Sequence, residues 1–255
     1  MKHPEVLAVP FHVGERVDGF PLPAGATVVA PELPAGTVQD RMIALFRELA
    51  DRVAASEADR VYTADCMAPL GVLAGLERRG IRPFIVWLDA HGDFNTWDTT
   101  PSGYIGGMPL AILVGKEERR MLEAIGLQMV EEGRIVLSDA REVDPREGIA
   151  LSRSAIRIAR LEEVAALIPQ DGAIYLHLDL DVVRPSQMPA LRFPAAGGPT
   201  LDQVGDFIHG IARTGRLACA TIGCTWDPGH ADARAAWAAT EKVARYLQGS
   251  SADGP

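Results

Sequence analysis

Asp89, His91 and Asp93 alternate in the segment Asp89-Ala90-His91-Gly92-Asp93, and Asp179 and Asp181 repeat that spacing later in the chain. In extended backbone, side chains two residues apart share a face, so each segment presents its acids, and in the first case an imidazole, together. Four carboxylates and an imidazole collected at two strand ends repel one another unless positive charge sits among them. A pair of divalent ions meets that need. An Asp that follows a strand also serves as a helix N-cap. Capping explains one Asp-x-Asp well, but explains poorly two such motifs that both leave apolar strands.

The strands are read from short apolar or β-branched runs. Phe84–Leu88 feeds directly into Asp89, and Ala173–Leu178 into Asp179. Further runs at Glu5–Val9, Thr27–Ala30, Arg60–Thr63, Arg134–Leu137, Ala155–Ile158 and Leu217–Ile222 alternate with amphipathic stretches. This is the pattern of a mainly parallel sheet covered by helices on both faces, a three-layer α/β/α domain. Met42, Ile43, Phe46, Leu49 and Val53 repeat at three- and four-residue intervals, as do Leu201, Val204, Phe207, Ile208 and Ile211. Each set predicts one buried helix face, and Thr200 with Gln203 predicts a capping box at the start of the second helix. In such sheets ligands sit beyond the carboxyl ends of the strands, which is where both acidic segments fall.

Composition agrees with that class. The chain has 255 residues, 47% of them hydrophobic and 23% charged, with a net charge of −9, so disorder and coiled coil are disfavoured. The acidic balance argues against nucleic acid or an anionic membrane as partner and favours cations. No apolar run approaches the roughly 18–20 residues of a membrane span, and the first residues lack a signal-peptide pattern, so a cytoplasmic chain is expected. No Gly/Ser or Pro-rich linker divides the sequence. One domain is therefore expected over residues 1–248, with a flexible tail over residues 249–255. Loops are expected at Phe20–Thr37, Pro101–Pro109 and Pro185–Pro199. Cys66, Cys219 and Cys224 form an odd set without CxxC spacing, which implies neither a disulfide framework nor a zinc ribbon. Cys219 and Cys224 are assigned to core packing.

The stretches WLDAHGDFNTWDTTPSGYIGGMP and YLHLDLDVVRPSQMPA resemble the ureohydrolase family (arginase, agmatinase, formiminoglutamase), whose signature is a DAHxD strand end and a later DxD. AREVDPREG (Ala140–Gly148) and the opening VPFHVG extend the likeness over most of the chain. The resemblance implies one α/β/α domain with a cluster of two manganese ions. It implies that Asp89 and Asp179 bridge the ions, that Asp93 completes the first site, and that His91 and Asp181 complete the second. The family's remaining first-site ligand is a histidine in a GGDHS motif; Thr63-Ala64-Asp65-Cys66-Met67 puts Cys66 there. A cysteine ligand would tilt that site toward zinc, iron or cobalt, or leave a single ion bound; otherwise Cys66 is a small buried hydrophobe. The implied reaction is attack by a metal-bridging hydroxide on a guanidinium or amidine carbon, releasing urea, ammonia or formamide. Asp93, best placed to hold the hydroxide's proton, and His91 are the catalytic candidates.

Other positions depart from the family. Gly106 stands where arginases carry a shuttle histidine, with Tyr104 two residues earlier. Thr225 stands where they carry a glutamate that pairs with the guanidinium, with Asp227 two residues on. Loss of that charge argues against efficient arginine hydrolysis unless another carboxylate substitutes or the substrate is less basic. Asn95 and Ser102 match the residues that take an α-carboxylate, and Asp144 and Glu147 those that face an α-amino group; the other reading is loop ordering and capping. Arg192 is either a second carboxylate binder or a surface residue. His177 shares a face with Asp179, where a supporting role is open to it, and His3, His12, His209 and His230 are unassigned surface or loop residues.

The expected function is a binuclear metal hydrolase cleaving a C–N bond of a linear guanidino, amidino or formimino compound. The alternative is a catalytically silent relative that binds a small ligand or a partner. The expected substrate is a small amino acid or amine, and the expected assembly a homo-oligomer.

Overall fold

The computed structural model describes residues 5–223 and 233–247. Its strands are β1 (Val6–Val9), β2 (Phe11–His12), β3 (Glu15–Arg16), β4 (Thr27–Val28), β5 (Arg60–Thr63), β6 (Phe84–Leu88), β7 (Ile135–Ser138), β8 (Arg157–Ala159), β9 (Ile174–Asp179) and β10 (Leu217–Gly223). The helices are α1 (Val38–Ala55), α2 (Pro69–Arg78), α3 (Pro109–Leu113), α4 (Arg119–Ile125), α5 (Pro145–Ser152), α6 (Leu161–Leu167), α7 (Leu201–Arg213) and α8 (Ala233–Tyr246).

Eight strands form one parallel sheet in the order β4-β1-β5-β10-β9-β6-β7-β8, and β2 and β3 pair as a separate antiparallel hairpin. Each run read as a strand is one, with ends shifted by up to two residues. The start of β8 moves from Ala155 to Arg157 because the Ala155 and Ile156 N–H groups donate to the Glu132 carboxylate and the Ser154 hydroxyl instead of a neighbouring strand. The two-residue strands β2 and β3 are too short to leave a periodic signal.

The central strands are apolar on both faces because helices cover both. One face, carrying Val61, Ile85, Trp87 and Tyr175, packs against α1, α2, α3 and α4. The other, carrying Tyr62, Val86, Leu176 and Ile222, packs against α6, α7 and α8. Met42, Ile43, Phe46, Leu49 and Val53 are buried along α1 as their spacing predicts. In α7, Leu201, Val204, Ile208 and Ile211 are buried and the Thr200–Gln203 capping box forms, while Phe207 is half-buried. Helices α1 and α2 approach closely because α2 offers glycines: a Cβ on Gly75 would lie 2.6 Å from the Val53 Cβ.

Strands β5 and β6 are consecutive along the chain, yet β10 and β9 lie between them. The chain leaves β5 for β6, runs outward through β7 and β8, and returns with β9 and β10 to fill the gap, so neighbouring connections diverge here and open a crevice at the strands' carboxyl ends. The ends of β5, β9 and β6 lead into Cys66, Asp179 and Asp89.

Candidate metal centre

The crevice is a cleft of about 460 Å³, and the acids line its floor. Asp89, Asp93, Asp179, Asp181 and Cys66 are all buried, and His91 is half-buried. His91 Nδ1 lies 2.8 Å from Asp181 Oδ2 and 3.5 Å from Asp89 Oδ1. Cys66 Sγ lies 2.8 Å from Asp179 Oδ2 and 3.6 Å from Asp89 Oδ2. Two groups of ligand-type atoms, each spanning no more than 4.8 Å, share Asp89: Cys66, Asp89, Asp93 and His177 form one, and Asp89, His91 and Asp181 the other.

Each carboxylate is held by one oxygen. The His91 N–H donates to Asp89 Oδ1 (2.7 Å), the Asp181 N–H to Asp179 Oδ1 (2.8 Å) and the Ala90 N–H to Asp181 Oδ1 (3.0 Å). The Trp87 indole donates to Asp93 Oδ2 at 3.1 Å. The second oxygens of Asp89, Asp179 and Asp181 face Cys66 or His91, so the backbone orients the acids toward a common centre. Alternation along an extended chain brings Asp89 and His91 together, but Asp93 arrives differently. Its φ is 52°, in the left-handed region, and this turn swings its carboxyl back over Trp87.

The electrostatics follow from the crowding. Burial, reinforced by Asp89, pushes the Asp93 carboxyl well above its ordinary range. Burial, with Asp181 and Asp89 beside it, does the same to Asp179 and also raises Asp181 to about 6. Burial lifts the Cys66 thiol, and Asp179 lifts it further. Burial opposes the charged form of His91, but its hydrogen bonds to Asp181 and Asp89 prevail and raise it to about 12. Asp89 is the ionised partner: burial raises it, and the His91 side chain and N–H more than offset this. Burial holds the His177 imidazole neutral, at about 4. Without another cation, the cluster is relieved only by protons and one imidazolium, which divalent ions can displace. The donors are those of such ions: carboxylate oxygens, imidazole nitrogens and one sulfur. The fit is further supported by a buried polar atom without a partner, Nε2 of His177, a residue of the first group.

The wall of the cleft shows where the other sequence candidates lie. Glu147 is buried behind the loop, accepting hydrogen bonds from the Phe94 N–H (2.8 Å) and the Asp144 N–H (3.1 Å). Asp144 caps α5 and accepts from Asn95 Nδ2 at 3.0 Å, while Asn95 Oδ1 accepts from Thr99. Ser102 is exposed at the rim, its hydroxyl accepting from the Tyr104 N–H. Arg192 is exposed, with its guanidinium over the Phe193 ring, and faces a neighbouring hollow rather than the acids. Thr225, Asp227, Cys224, His3, His230 and the expected tail over residues 249–255 lie outside the described residues. Cys219 is buried in the core, and His209 sits half-buried on α7 rather than in a loop.

Four residues enter the site without having been candidates for it. The Tyr104 hydroxyl is 3.0 Å from His12 Nε2, and the two rings stack at 5.9 Å. The Arg141 guanidinium donates to the carbonyls of Asp181 (2.9 Å) and Ala196 (2.9 Å), which fixes the segment after β9. Asp65 accepts from the Val13 N–H (2.6 Å) and the Met67 N–H (3.0 Å), which shapes the turn that presents Cys66. Their signal is weak in sequence because, apart from the local Asp65–Met67 bond, these contacts join residues remote along the chain. Only the proximity of Tyr104 to Gly106 is visible there.

Residues 65–244 match the family model described as Arginase family, and this stretch holds every residue of the two ligand groups. The chain belongs to the arginase family. The arginase of Bacillus caldovelox is 32% identical over 154 residues, covering 55% of this chain and 52% of that one. The chain spans about half the length of the arginases it matches in sequence. The arginase of Bacillus subtilis superposes with a TM-score of 0.80 at 21% identity, over 98% of this chain and 99% of the other. The arginase of Entamoeba histolytica, solved with L-ornithine, gives 0.80 at 20% identity, with coverage of 98% and 99%. At these identities the structural likeness shows the arginase-type fold: a parallel eight-stranded sheet between helical layers.

Proposed function

We propose that this chain is a two-metal hydrolase that cleaves a C–N bond in a small linear guanidino, amidino or formimino compound. The observation that carries the proposal is the pair of ligand groups sharing Asp89 at the floor of one cleft. When bound, two divalent ions would lower the pKa of a water and polarise the substrate's central carbon. Asp89, Asp93 and Asp179, with Cys66, would hold the first ion; Asp89, Asp179, His91 and Asp181 would hold the second. Manganese is the expected ion, with zinc, iron or cobalt the alternatives where Cys66 contributes.

The protein's own groups handle the proton and the substrate. Asp93 keeps one oxygen on the Trp87 N–H, which leaves the other to take a proton from the attacking water and pass it to the departing nitrogen. His91, clasped between Asp181 and Asp89, keeps its ring in one orientation beside the reaction centre. Above the acids, Glu142, Asp144 and Glu147 line the wall, and among the described residues the one guanidinium lining it, that of Arg141, is committed to backbone carbonyls. This wall favours a substrate with a positive end, such as an amine or an amino acid. A cleft of about 460 Å³ suits a ligand of that size. Asn95 and Ser102 supply neutral polar groups for a carboxylate. We extend the reading to a cytoplasmic homo-oligomer on the family resemblance alone; among the described residues no helix is long and apolar enough to cross a membrane.

The test is to load the purified chain with manganese, count the ions bound, and assay arginine, agmatine, guanidinobutyrate and formiminoglutamate for urea, ammonia or formamide. Metal-dependent product from at least one of them is expected. Fewer than one ion per chain together with no product from any of them overturns the proposal.

A further inference from the structure

Beneath the acid cluster lies an imidazole for which the family's two acidic motifs have no place. His177 is on β9, two residues before Asp179 and on the same face, in register with Trp87 on β6 and Thr221 on β10. It is fully buried. Its ring centroid lies 4.0 Å from that of Trp87, whose N–H holds Asp93. His177 Nδ1 is 2.7 Å from Thr221 Oγ1, and that hydroxyl is 2.8 Å from the Tyr175 hydroxyl. Nε2 is buried with no hydrogen-bond partner, and a ring nitrogen of His177 lies within 4.8 Å of the ligand atoms of Cys66, Asp89 and Asp93.

A buried ring nitrogen with no partner is rare in a folded protein, and this ring stands beside a cluster that needs a cation. With Nδ1–H donated to the Thr221 hydroxyl, Nε2 carries the lone pair and is the ring nitrogen left free to serve the cluster. That is how an outer hydrogen bond sets the tautomer of a metal-binding histidine. Gly223, beside Asp179 on β10, keeps the approach open: a Cβ there would come within 3.2 Å of His177 Cε1.

We infer that His177 Nε2 is a ligand of the first metal ion, so that the imidazole this site lost at the end of β5, where Cys66 stands, is supplied instead from within β9. The inference rests on the two-metal reading and deepens it. The first site then has one sulfur and one imidazole beside the carboxylates of Asp89, Asp93 and Asp179, a softer donor set that suits zinc or cobalt, while the His91–Asp181 site keeps only nitrogen and oxygen donors. Thr221 and Tyr175 are positioning residues that act through the His177 ring. The two sites thereby differ in metal preference within one chain.

The experiment uses zinc and cobalt as probes on the full chain. In His91→Ala the second site loses its imidazole, so X-ray absorption of a single bound zinc should show sulfur and imidazole scattering on the same ion, with the imidazole from His177. In otherwise wild-type protein loaded with cobalt, the thiolate-to-cobalt charge-transfer band should be present; His177→Gln should weaken cobalt binding at that band more than the roughly 10–100-fold typical of losing an outer partner. Thr221→Val should fall within that smaller range. Sulfur without imidazole in the His91→Ala spectrum, or an unchanged cobalt titration in His177→Gln, overturns the inference while a two-ion count in the wild type leaves the two-metal reading standing. A wild-type chain that binds no ion overturns both. The wild-type and His91→Ala spectra need no substitution at His177, so the test survives a misfolded His177→Gln.

Discussion

Gly106 and Tyr104 compete for one volume, and substituting Gly106→Ala measures that competition. A Cβ built on Gly106 would lie 2.2 Å from Tyr104 Cζ and 2.3 Å from its hydroxyl oxygen. Carbon–carbon contact is comfortable at about 3.5 Å, so the ring must retreat by roughly 1.3 Å. It cannot do so freely, because its hydroxyl is bonded to His12 Nε2 and its face packs near Phe193. Overpacking of this kind costs about 1–3 kcal/mol, and loss of the Tyr104–His12 hydrogen bond adds about 0.5–1.5 kcal/mol. Gly106→Ala is therefore expected to destabilise the protein by about 2–4 kcal/mol, which for a chain of this size lowers Tm by roughly 4–16 °C. Gly106 has no left-handed φ, so the backbone adds no strain of its own. In a Tyr104→Ala background the obstruction is gone and Gly106→Ala should cost less than about 0.5 kcal/mol, a coupling well outside additivity. Urea denaturation of the four proteins gives the cycle. A Gly106→Ala effect that is the same with and without the Tyr104 ring would refute the reasoning.

Two further outcomes follow from the same geometry. Glu147→Ala leaves the buried N–H of Phe94 without an acceptor, at about 1–3 kcal/mol, and the half-buried N–H of Asp144 at a smaller cost, and should lower the urea midpoint and weaken manganese binding by loosening the loop that carries Asp89 to Asp93. The second concerns pH. The folded-state pKa values of Asp93, Asp179 and Asp181 are raised, so the metal-free fold binds more protons than the unfolded chain as pH rises from about 4 upward, and stability falls across that window. His91 is also raised, so its contribution is complete below about 6.5 and is lost as pH climbs toward about 12. Metal-free protein should thus be more stable at pH 5 than at pH 8. Manganese must displace these protons, so its affinity should rise over the same range, with proton release visible as a buffer-dependent binding enthalpy. Stability and affinity that both ignore pH would refute the cluster's protonation pattern.

Much of the architecture is readable from the chain because parallel strands buried on both faces leave continuous apolar runs, and Asp89 and Asp179 stand directly at the ends of two of them. The α1 face and the α7 capping box are equally local signals. What the sequence hides depends on which strands become neighbours. Nothing local tells that Trp87 and Thr221 flank His177, because β6, β9 and β10 are brought side by side by crossovers. Tyr104 and His12 meet across 92 residues. Arg141 reads as one more charged residue until the fold sets its guanidinium against the Asp181 carbonyl. Asp93 is found by alternation, yet it reaches the site through a left-handed turn that alternation does not describe.

The central claim is that the two ligand groups sharing Asp89 hold two divalent ions. It is tested most directly by counting ions per chain after manganese loading and dialysis, in the wild type and in a variant with Asp89→Asn. The account predicts two ions in the wild type and loss of at least one in the variant, since both groups draw on that carboxylate. Fewer than one ion in the wild type, or a count that Asp89→Asn leaves unchanged, would contradict it.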